Sequence, residues 1–111
     1  IIMPNAFVDV FSEVGANTVV WGNCSVAHHA KVGNHCWLAT GCVLSGSVVL
    51  GDNSFVGVGA TVVNGVNVGT HCVLGAGSLL VKNTGDFEVF ITQQAEKFRL
   101  SAEDYLKFSK F

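Results

Sequence analysis

A branched aliphatic residue stands at every sixth position between Ile2 and Leu80, without a break. The set is Ile2, Val8, Val14, Val20, Val26, Val32, Leu38, Leu44, Leu50, Val56, Val62, Val68, Leu74 and Leu80. Four places after each comes a small residue: Ala6, Ser12, Thr18, Cys24, Ala30, Cys36, Cys42, Val48, Ser54, Ala60, Val66, Cys72, Ser78 and Thr84. Neither an α-helix nor a plain strand has this period. The pattern predicts a solenoid, whose units bury their apolar residues by stacking on one another.

This hexad pattern resembles the hexapeptide-repeat family, whose chains coil into a left-handed parallel β-helix of triangular cross-section. The resemblance implies three hexads per coil, so that residues 18 apart stack vertically, and about four to five coils. Gly41, Gly59 and Gly77 would then form one column of corner glycines, where backbone freedom is needed. We therefore expect an all-β, left-handed β-helix domain over residues 1–85.

Residues 86–111 lack the period of six and are expected to form a C-terminal extension. Ser101 precedes an acidic pair in the manner of a helix N-cap, which predicts a short helix from Ala102 to about Lys110. Its expected role is to cap the open end of the solenoid, because the last coil otherwise exposes strand-edge groups. Shaping an acceptor pocket is the alternative role. The sequence begins inside the repeat at Ile1. We expect either a fragment of a longer protein or a chain without the N-terminal domain that many relatives carry.

The amino-acid composition argues against some classes of binding partner. The chain of 111 residues is 50% hydrophobic and 13% charged, with a net charge of −2. The scattered lysines and arginines argue against nucleic acid or an anionic membrane as partner. No apolar run approaches the roughly 20 residues of a membrane span. Because a slender prism exposes much of its surface, this apolar composition predicts burial against other chains.

The four cysteines all occupy the small interior position of their hexads. They are therefore predicted to be buried free thiols rather than zinc ligands. Cys24 and Cys42 would stack one coil apart, close enough to leave a disulfide open. No signal peptide is evident, and the expected compartment is a reducing cytoplasm.

The segment VAHHAKVGN, residues 26–34, is the most informative for function. It resembles the active-site coil of hexapeptide acetyltransferases of the sialic-acid O-acetyltransferase type, which also act on bacterial amino sugars. The later segments LSG (44–46), VGVGA (56–60) and LGAGS (74–78) match that group too. The resemblance implies direct transfer from acetyl-CoA to a hydroxyl or amine of a sugar or similar small acceptor. It also implies that His28 is the general base.

The chemistry of imidazole supports this role, because neutral imidazole titrates near the working pH and can remove a proton from an attacking group. Gly46 would stack above His28, leaving open space and a backbone N–H for the thioester oxygen. Relatives often carry an acid directly after the histidine, where this chain has His29. Asp9, Glu13 or a group of another chain remain candidates for orienting His28, and His29 is the alternative base.

His35 and His71 lie 36 residues apart and would share a column. That spacing also resembles the γ-class carbonic anhydrases, which bind zinc through three histidines. The further histidine would be needed five residues after His71, where this chain has Ala76. Two ligands do not hold a catalytic zinc, which normally has three protein ligands. We therefore predict exposed corner histidines and no metal site.

Trp37 and Phe55 fall in an outward-pointing column with Val19 and Val73, which predicts an interface between prisms. The resemblance implies a homotrimer with active sites between subunits and CoA in the groove between two prisms. The alternative interpretation of Trp37 is that it borders the acyl-donor site rather than only forming the interface. The candidate CoA-binding residues are Trp37, Gly59, Ala60, Ala76, Gly77, Ser78 and, for a phosphate, Lys82.

The sequence thus predicts a CoA-dependent acetyltransferase. A non-catalytic scaffold with the same fold is the alternative function, distinguished by a stable trimer that does not bind CoA. A γ-carbonic-anhydrase-like protein is more remote. An ice-binding solenoid is weaker still, because the chain has no flat outward ladder of threonines.

Overall fold

The structure, a computed structural model, describes residues 1–108 and is a β-solenoid of about five coils. This confirms the predicted left-handed parallel β-helix. Over residues 7–90 the sides of the coils are strands of two residues each, and only the polar side of the last coil lacks one. The strands are β1 Phe7–Val8, β2 Glu13–Val14, β3 Val19–Val20, β4 Ser25–Val26, β5 Lys31–Val32, β6 Trp37–Leu38, β7 Val43–Leu44, β8 Val49–Leu50, β9 Phe55–Val56, β10 Thr61–Val62, β11 Asn67–Val68, β12 Val73–Leu74, β13 Leu79–Leu80 and β14 Val89–Phe90. One helix, α1, follows at Ala102–Phe108.

The strands stack into three parallel sheets, one on each side of the prism. The register pairs residues 18 apart, for example Val26 with Leu44. We name the sheets by their outward residues: the aromatic face (β3, β6, β9, β12, β14), the mixed face (β1, β4, β7, β10, β13) and the polar face (β2, β5, β8, β11). The predicted 18-residue stacking is thereby confirmed.

The core is a column of aliphatic side chains that runs along the axis of the prism. The second residue of every strand from β3 to β12 points inward and is at most 4% exposed. Small residues such as Ala30 and Ala60, both 0% exposed, fill the space beside the aliphatics. Burying one such aliphatic side chain stabilises a fold by about 1.5–3 kcal/mol, so each coil depends on the coils above and below it.

Apart from the turn after β13, each turn between faces holds one residue with positive φ, and these residues form three columns along three edges. The glycine edge lies between the aromatic and mixed faces and has Asn5, Asn23, Gly41, Gly59 and Gly77. The His28 edge lies between the mixed and polar faces and has Phe11, His29, Ser47 and Gly65. The His71 edge lies between the polar and aromatic faces and has Asn17, His35, Asn53, His71 and Phe87. The predicted column of corner glycines is present, with φ of +71°, +66° and +70°. Glycine adopts this backbone conformation without steric cost.

Beyond Gly85 the coil continues for one more strand. β14 pairs with β12, and Val89 lies opposite Val73, a step of 16 rather than 18 residues. The strand β14, not the helix, therefore pairs with the free edge of β12.

The helix α1 begins after Ser101, whose Oγ accepts a hydrogen bond from the Asp104 N–H at 3.1 Å, as in an N-cap. α1 buries no side chain, and Leu106 is 55% exposed. Capping by the helix therefore stays a prediction. The predicted end of the helix at Lys110 lies outside the described residues. No helix within residues 1–108 is long and apolar enough to cross a membrane.

All four cysteines are buried free thiols, 0–2% exposed, in agreement with the sequence. The Sγ atoms of Cys42 and Cys24 lie 3.4 Å apart, well beyond the length of a disulfide bond. Burial raises the pKa of the Cys42 thiol, and the neighbouring Cys24 thiol raises it further. Burial also raises the pKa of the Cys36 thiol.

A thiol-reactive reagent tests this packing. Because the thiolate is the reactive form and these sulfurs are covered, the folded protein should give almost no reaction with dithiobis(nitrobenzoate) at pH 8. Addition of guanidinium should release all four thiols at once, measured by absorbance. Rapid reaction of one or two cysteines in the folded protein would contradict the interior placement.

Candidate active site

His28 lies in the exposed turn between β4 and β5, on the His28 edge. The turn is held by hydrogen bonds to the coils on both sides. His29 N–H donates to Val10 O at 3.2 Å, and Ser47 N–H donates to His28 O at 3.0 Å. Because the backbone is fixed in this way, the side chain of His28 projects from a rigid support.

The imidazole of His28 lies against Gly46, the residue one coil above. A Cβ added at Gly46 would lie 2.5 Å from His28 Cε1 and 2.7 Å from His28 Nε2. The same Cβ would lie 2.6 Å from Oδ1 of Asn64, which stands one coil higher on the same edge. A Cβ at this position would therefore require both side chains to move.

The expected open space at Gly46 is therefore not present. Gly46 is buried, because the His28 ring and the Asn64 side chain both cover it. Its N–H donates no hydrogen bond to any of residues 1–108. Asn64 is a site residue that sequence reasoning missed, although a further step of 18 from Gly46 leads to it.

His29 directly contacts His28. Their two Nδ1 atoms lie 3.3 Å apart, and the two rings meet edge to face at 83°. The His29 ring also packs on Phe11, one coil below, with ring centroids 5.3 Å apart. His29 thus contacts both an imidazole and an aromatic ring.

The carboxylates expected near His28 are engaged elsewhere. Asp9 Oδ1 accepts a hydrogen bond from the N–H of Val10 at 2.6 Å. Glu13 stands opposite Lys31 in the register of the polar face. Within the described part of the chain, neither carboxylate forms a hydrogen bond or salt bridge with His28.

Four of the predicted CoA-binding residues lie on two different edges. Gly59, Ala76 and Gly77 are exposed on the glycine edge, and a Cβ at Gly59 would meet no atom within 4 Å. Lys82 is exposed on the His28 edge, since it follows β13 as Asn64 follows β10. One chain therefore does not bring His28 and the glycine-edge residues together.

Ala60 and Ser78 lie inside the prism. Both are buried, at 0% and 6% exposure. The N–H of each donates within its own turn, at 3.1 and 3.2 Å, and the carbonyl of each accepts from the neighbouring coil. Their part in CoA binding stays a prediction.

Trp37 lies on the aromatic face and is 42% exposed. Its ring packs near Trp21, with centroids 5.5 Å apart, at a shallow cavity of about 410 Å³. The cavity is lined by Trp21, Trp37, Ala39, Thr40, Phe55 and Val58. Trp21 Nε1 is buried, with no hydrogen-bond partner among residues 1–108.

His35 and His71 are exposed on the His71 edge, two coils apart. His35 Nδ1 is 2.9 Å from Asn17 Nδ2, and the His71 ring stacks on Phe87 with centroids 4.6 Å apart. In residues 1–108, no three His, Cys, Asp or Glu side chains are placed to hold one metal ion.

Comparisons with known proteins agree with the repeat and the coils. The family model described as the hexapeptide repeat of succinyl-transferase matches residues 47–82. A hexapeptide transferase family protein from Anaplasma phagocytophilum is 27% identical; the match covers 96% of this chain and 71% of that chain, with a TM-score of 0.68. No curated protein sequence matches the chain significantly. In its repeat and its coils the chain is thus similar to hexapeptide-repeat proteins.

Two further solved structures are of named acetyltransferases. PerB, the GDP-perosamine N-acetyltransferase from Caulobacter crescentus in complex with CoA and GDP-perosamine, is 25% identical, with a TM-score of 0.62 and coverage of 79% of this chain. This chain spans about half of PerB, 51%. The acetyltransferase domain of PglB from Neisseria gonorrhoeae, in complex with acetyl coenzyme A, shares the fold at 20% identity, with a TM-score of 0.60 and coverage of 85% of this chain and 55% of that one.

The Gly46→Ala variant tests the contact of His28 with Gly46. The added methyl would displace the imidazole, so we expect the ring ¹H and ¹⁵N signals of His28 to shift while the far-ultraviolet circular dichroism spectrum is unchanged. Gly22→Ala is the control, since its added Cβ would approach only Pro4 O, at 3.0 Å. Unchanged His28 signals in Gly46→Ala would contradict the contact.

Proposed function

We propose that the chain is the β-helix of a CoA-dependent acetyltransferase in which His28 is the general base. One observation carries this proposal: the exposed His28 directs Nε2 along the edge toward Gly46 while its Nδ1 contacts His29. A base needs a free ring nitrogen toward the substrate and an orienting partner on the other nitrogen. The CoA complex of PerB supports the choice of co-substrate.

In the proposed reaction an acceptor amine or hydroxyl attacks the carbonyl carbon of the thioester, and His28 Nε2 takes its proton. The carbon–sulfur bond then breaks, and the acetyl group remains on the acceptor. The departing sulfur takes the proton back from His28, so CoA leaves as the free thiol. Proton and electron pairs balance without a metal or an oxidant.

The negative oxygen formed at the carbonyl carbon needs a hydrogen-bond donor. The Gly46 N–H is the proposed donor and has no partner within residues 1–108. It reaches a ligand only when the exposed Asn64 side chain turns aside. The amide of Asn64, positioned at the same point, is the alternative donor.

The site is proposed to be completed by a second copy of the chain in a homotrimer. His28 and Lys82 lie on one edge, whereas Gly59, Ala76 and Gly77 lie on another. Side chains on different edges of a prism cannot meet within it, but the edges of two adjacent prisms can. The groove between the two copies would then hold CoA, with Lys82 near a phosphate.

The aromatic face is the proposed contact between copies. Its outward residues are Val19, Trp37, Phe55, Val73 and Val89, and four of them are 38–65% exposed in the single chain. The outward residues of the polar face are Glu13, Lys31, Val49 and Asn67. An exposed apolar column of this kind is typical of a subunit interface.

The acceptor is proposed to be a sugar amine or hydroxyl, as in the sialic-acid O-acetyltransferase type of enzyme. The GDP-perosamine bound to PerB favours an amino sugar. A non-catalytic scaffold is the second candidate function, favoured by the exposed apolar face. Zinc chemistry of the carbonic anhydrase type has no set of three ligands within residues 1–108.

The His28→Gln variant tests the proposed base. Loss of general-base catalysis typically lowers kcat by about 10²–10⁴-fold. Acetyl-CoA affinity, measured by calorimetry, should be unchanged, because Gln keeps the size and polarity of the side chain. CoA release is measured with a panel of amino sugars, and His35→Gln on the His71 edge is the control. Full turnover by His28→Gln would exclude His28 as the base, and no acetyl-CoA binding by the wild type would favour the scaffold.

The Phe55→Glu variant tests the proposed interface. A carboxylate buried between two copies is strongly unfavourable, so Phe55→Glu should convert the trimer to monomers in light scattering coupled to size exclusion. Asn67→Glu adds the same charge on the polar face and should leave the mass unchanged. A trimer in both variants would place the interface elsewhere.

A further inference from the structure

We propose that His29 orients the catalytic imidazole by accepting a hydrogen bond from Nδ1–H of His28, so that a neutral histidine occupies the role usually held by a carboxylate. This inference rests on the proposed function of His28 as a base. The contact that carries it is the 3.3 Å separation of the two Nδ1 atoms.

The tautomers of the two rings follow from this contact. A neutral imidazole has one N–H, and His28 can accept a proton at Nε2 only when its hydrogen is on Nδ1. The Nδ1 of His29 must then be the acceptor, which places the hydrogen of His29 on Nε2. The opposite direction of the bond would leave a hydrogen on Nε2 of His28, toward Gly46, and would block the base.

Other contacts fix His29 in the required position. Its N–H donates to Val10 O at 3.2 Å, and its φ is +60°. Its ring packs on Phe11, with an interplanar angle of 31° and centroids 5.3 Å apart. The backbone hydrogen bond and the packing on Phe11 therefore restrain the His29 ring with its Nδ1 toward His28.

Asp9 and Glu13, the carboxylates that the sequence offered for orienting His28, are not bonded to His28. Asp9 Oδ1 accepts the Val10 N–H, and Glu13 pairs in register with Lys31. When His28 becomes positively charged during transfer, its Nδ1–H bond to neutral His29 becomes charge-assisted and therefore stronger. His29 would thus stabilise the protonated base as well as select its tautomer.

Because the backbone at His29 is in the left-handed region, substitutions to glycine and asparagine can change the side chain without straining the backbone. His29→Gly removes the acceptor without backbone strain, because glycine occupies the same column at Gly65 with a φ of +77°. His29→Asn supplies an amide oxygen instead, and asparagine tolerates this conformation, as at Asn17 with a φ of +53°. His35→Gly changes the same residue type in the same conformation on the His71 edge and is the matched control.

The first measurement is the ¹⁵N spectrum of the histidine rings, which distinguishes the two tautomers directly. Each ring is assigned by its own substitution. In the wild type, His28 should carry its hydrogen on Nδ1 and His29 on Nε2. In His29→Gly the hydrogen of His28 should move to Nε2, and in His29→Asn it should stay on Nδ1. His35→Gly should not alter the His28 signals.

The second measurement is acetyl transfer by the same variants. His29→Gly should lose about 10- to 100-fold in kcat, which is the effect expected from removing one hydrogen bond to a charged group. The KM for acetyl-CoA should be unchanged, and His29→Asn should restore most of the loss.

Two results would overturn the proposal: a wild-type His28 with its hydrogen on Nε2, or a His28 tautomer that does not change in His29→Gly. Both are read from spectra of the intact protein. Absence of acetyl-CoA binding would instead reject the acetyltransferase function, and the spectra would still decide the hydrogen bond.

Discussion

The parallel pairing of strands one coil apart is the constraint on which the other features of this protein depend. Each strand has only two residues, so no strand is stable by itself. The strands persist because residues 18 apart pair and their aliphatic side chains stack in one interior column. A slip of one residue would turn every interior side chain outward, so the apolar column fixes the register.

The same register sorts the surface into faces and edges with separate chemistry. His28, Gly46, Asn64 and Lys82 share an edge, whereas Gly59 and Gly77 belong to another. A rigid prism keeps its edges apart, so the division has a functional consequence. The proposed catalytic site uses residues of both edges and would therefore be assembled from two chains, with the exposed aromatic face as the proposed contact.

The turns give the same backbone conformation to residues with different surroundings. His29, His35 and His71 all have φ between +54° and +60°. His29 meets another imidazole, His35 meets the amide of Asn17, and His71 stacks on Phe87. The neighbours one coil away, rather than the residue type, therefore distinguish a candidate catalytic position from a structural one.

The sequence by itself determined the solenoid and the buried cysteines, because both follow from a strict period of six. The 18-residue register and the position of His28 below Gly46 followed from the resemblance to the hexapeptide-repeat family, which implies three hexads per coil. The tertiary structure decided what the period does not encode. Side-chain packing covers Gly46 with His28 and Asn64 and brings His29 into contact with His28. It also places Ala60 and Ser78 inside the prism. A shorter turn also added β14, 16 residues after β12. Such details depend on rotamers and turn lengths, which vary from coil to coil while the aliphatic repeat stays the same.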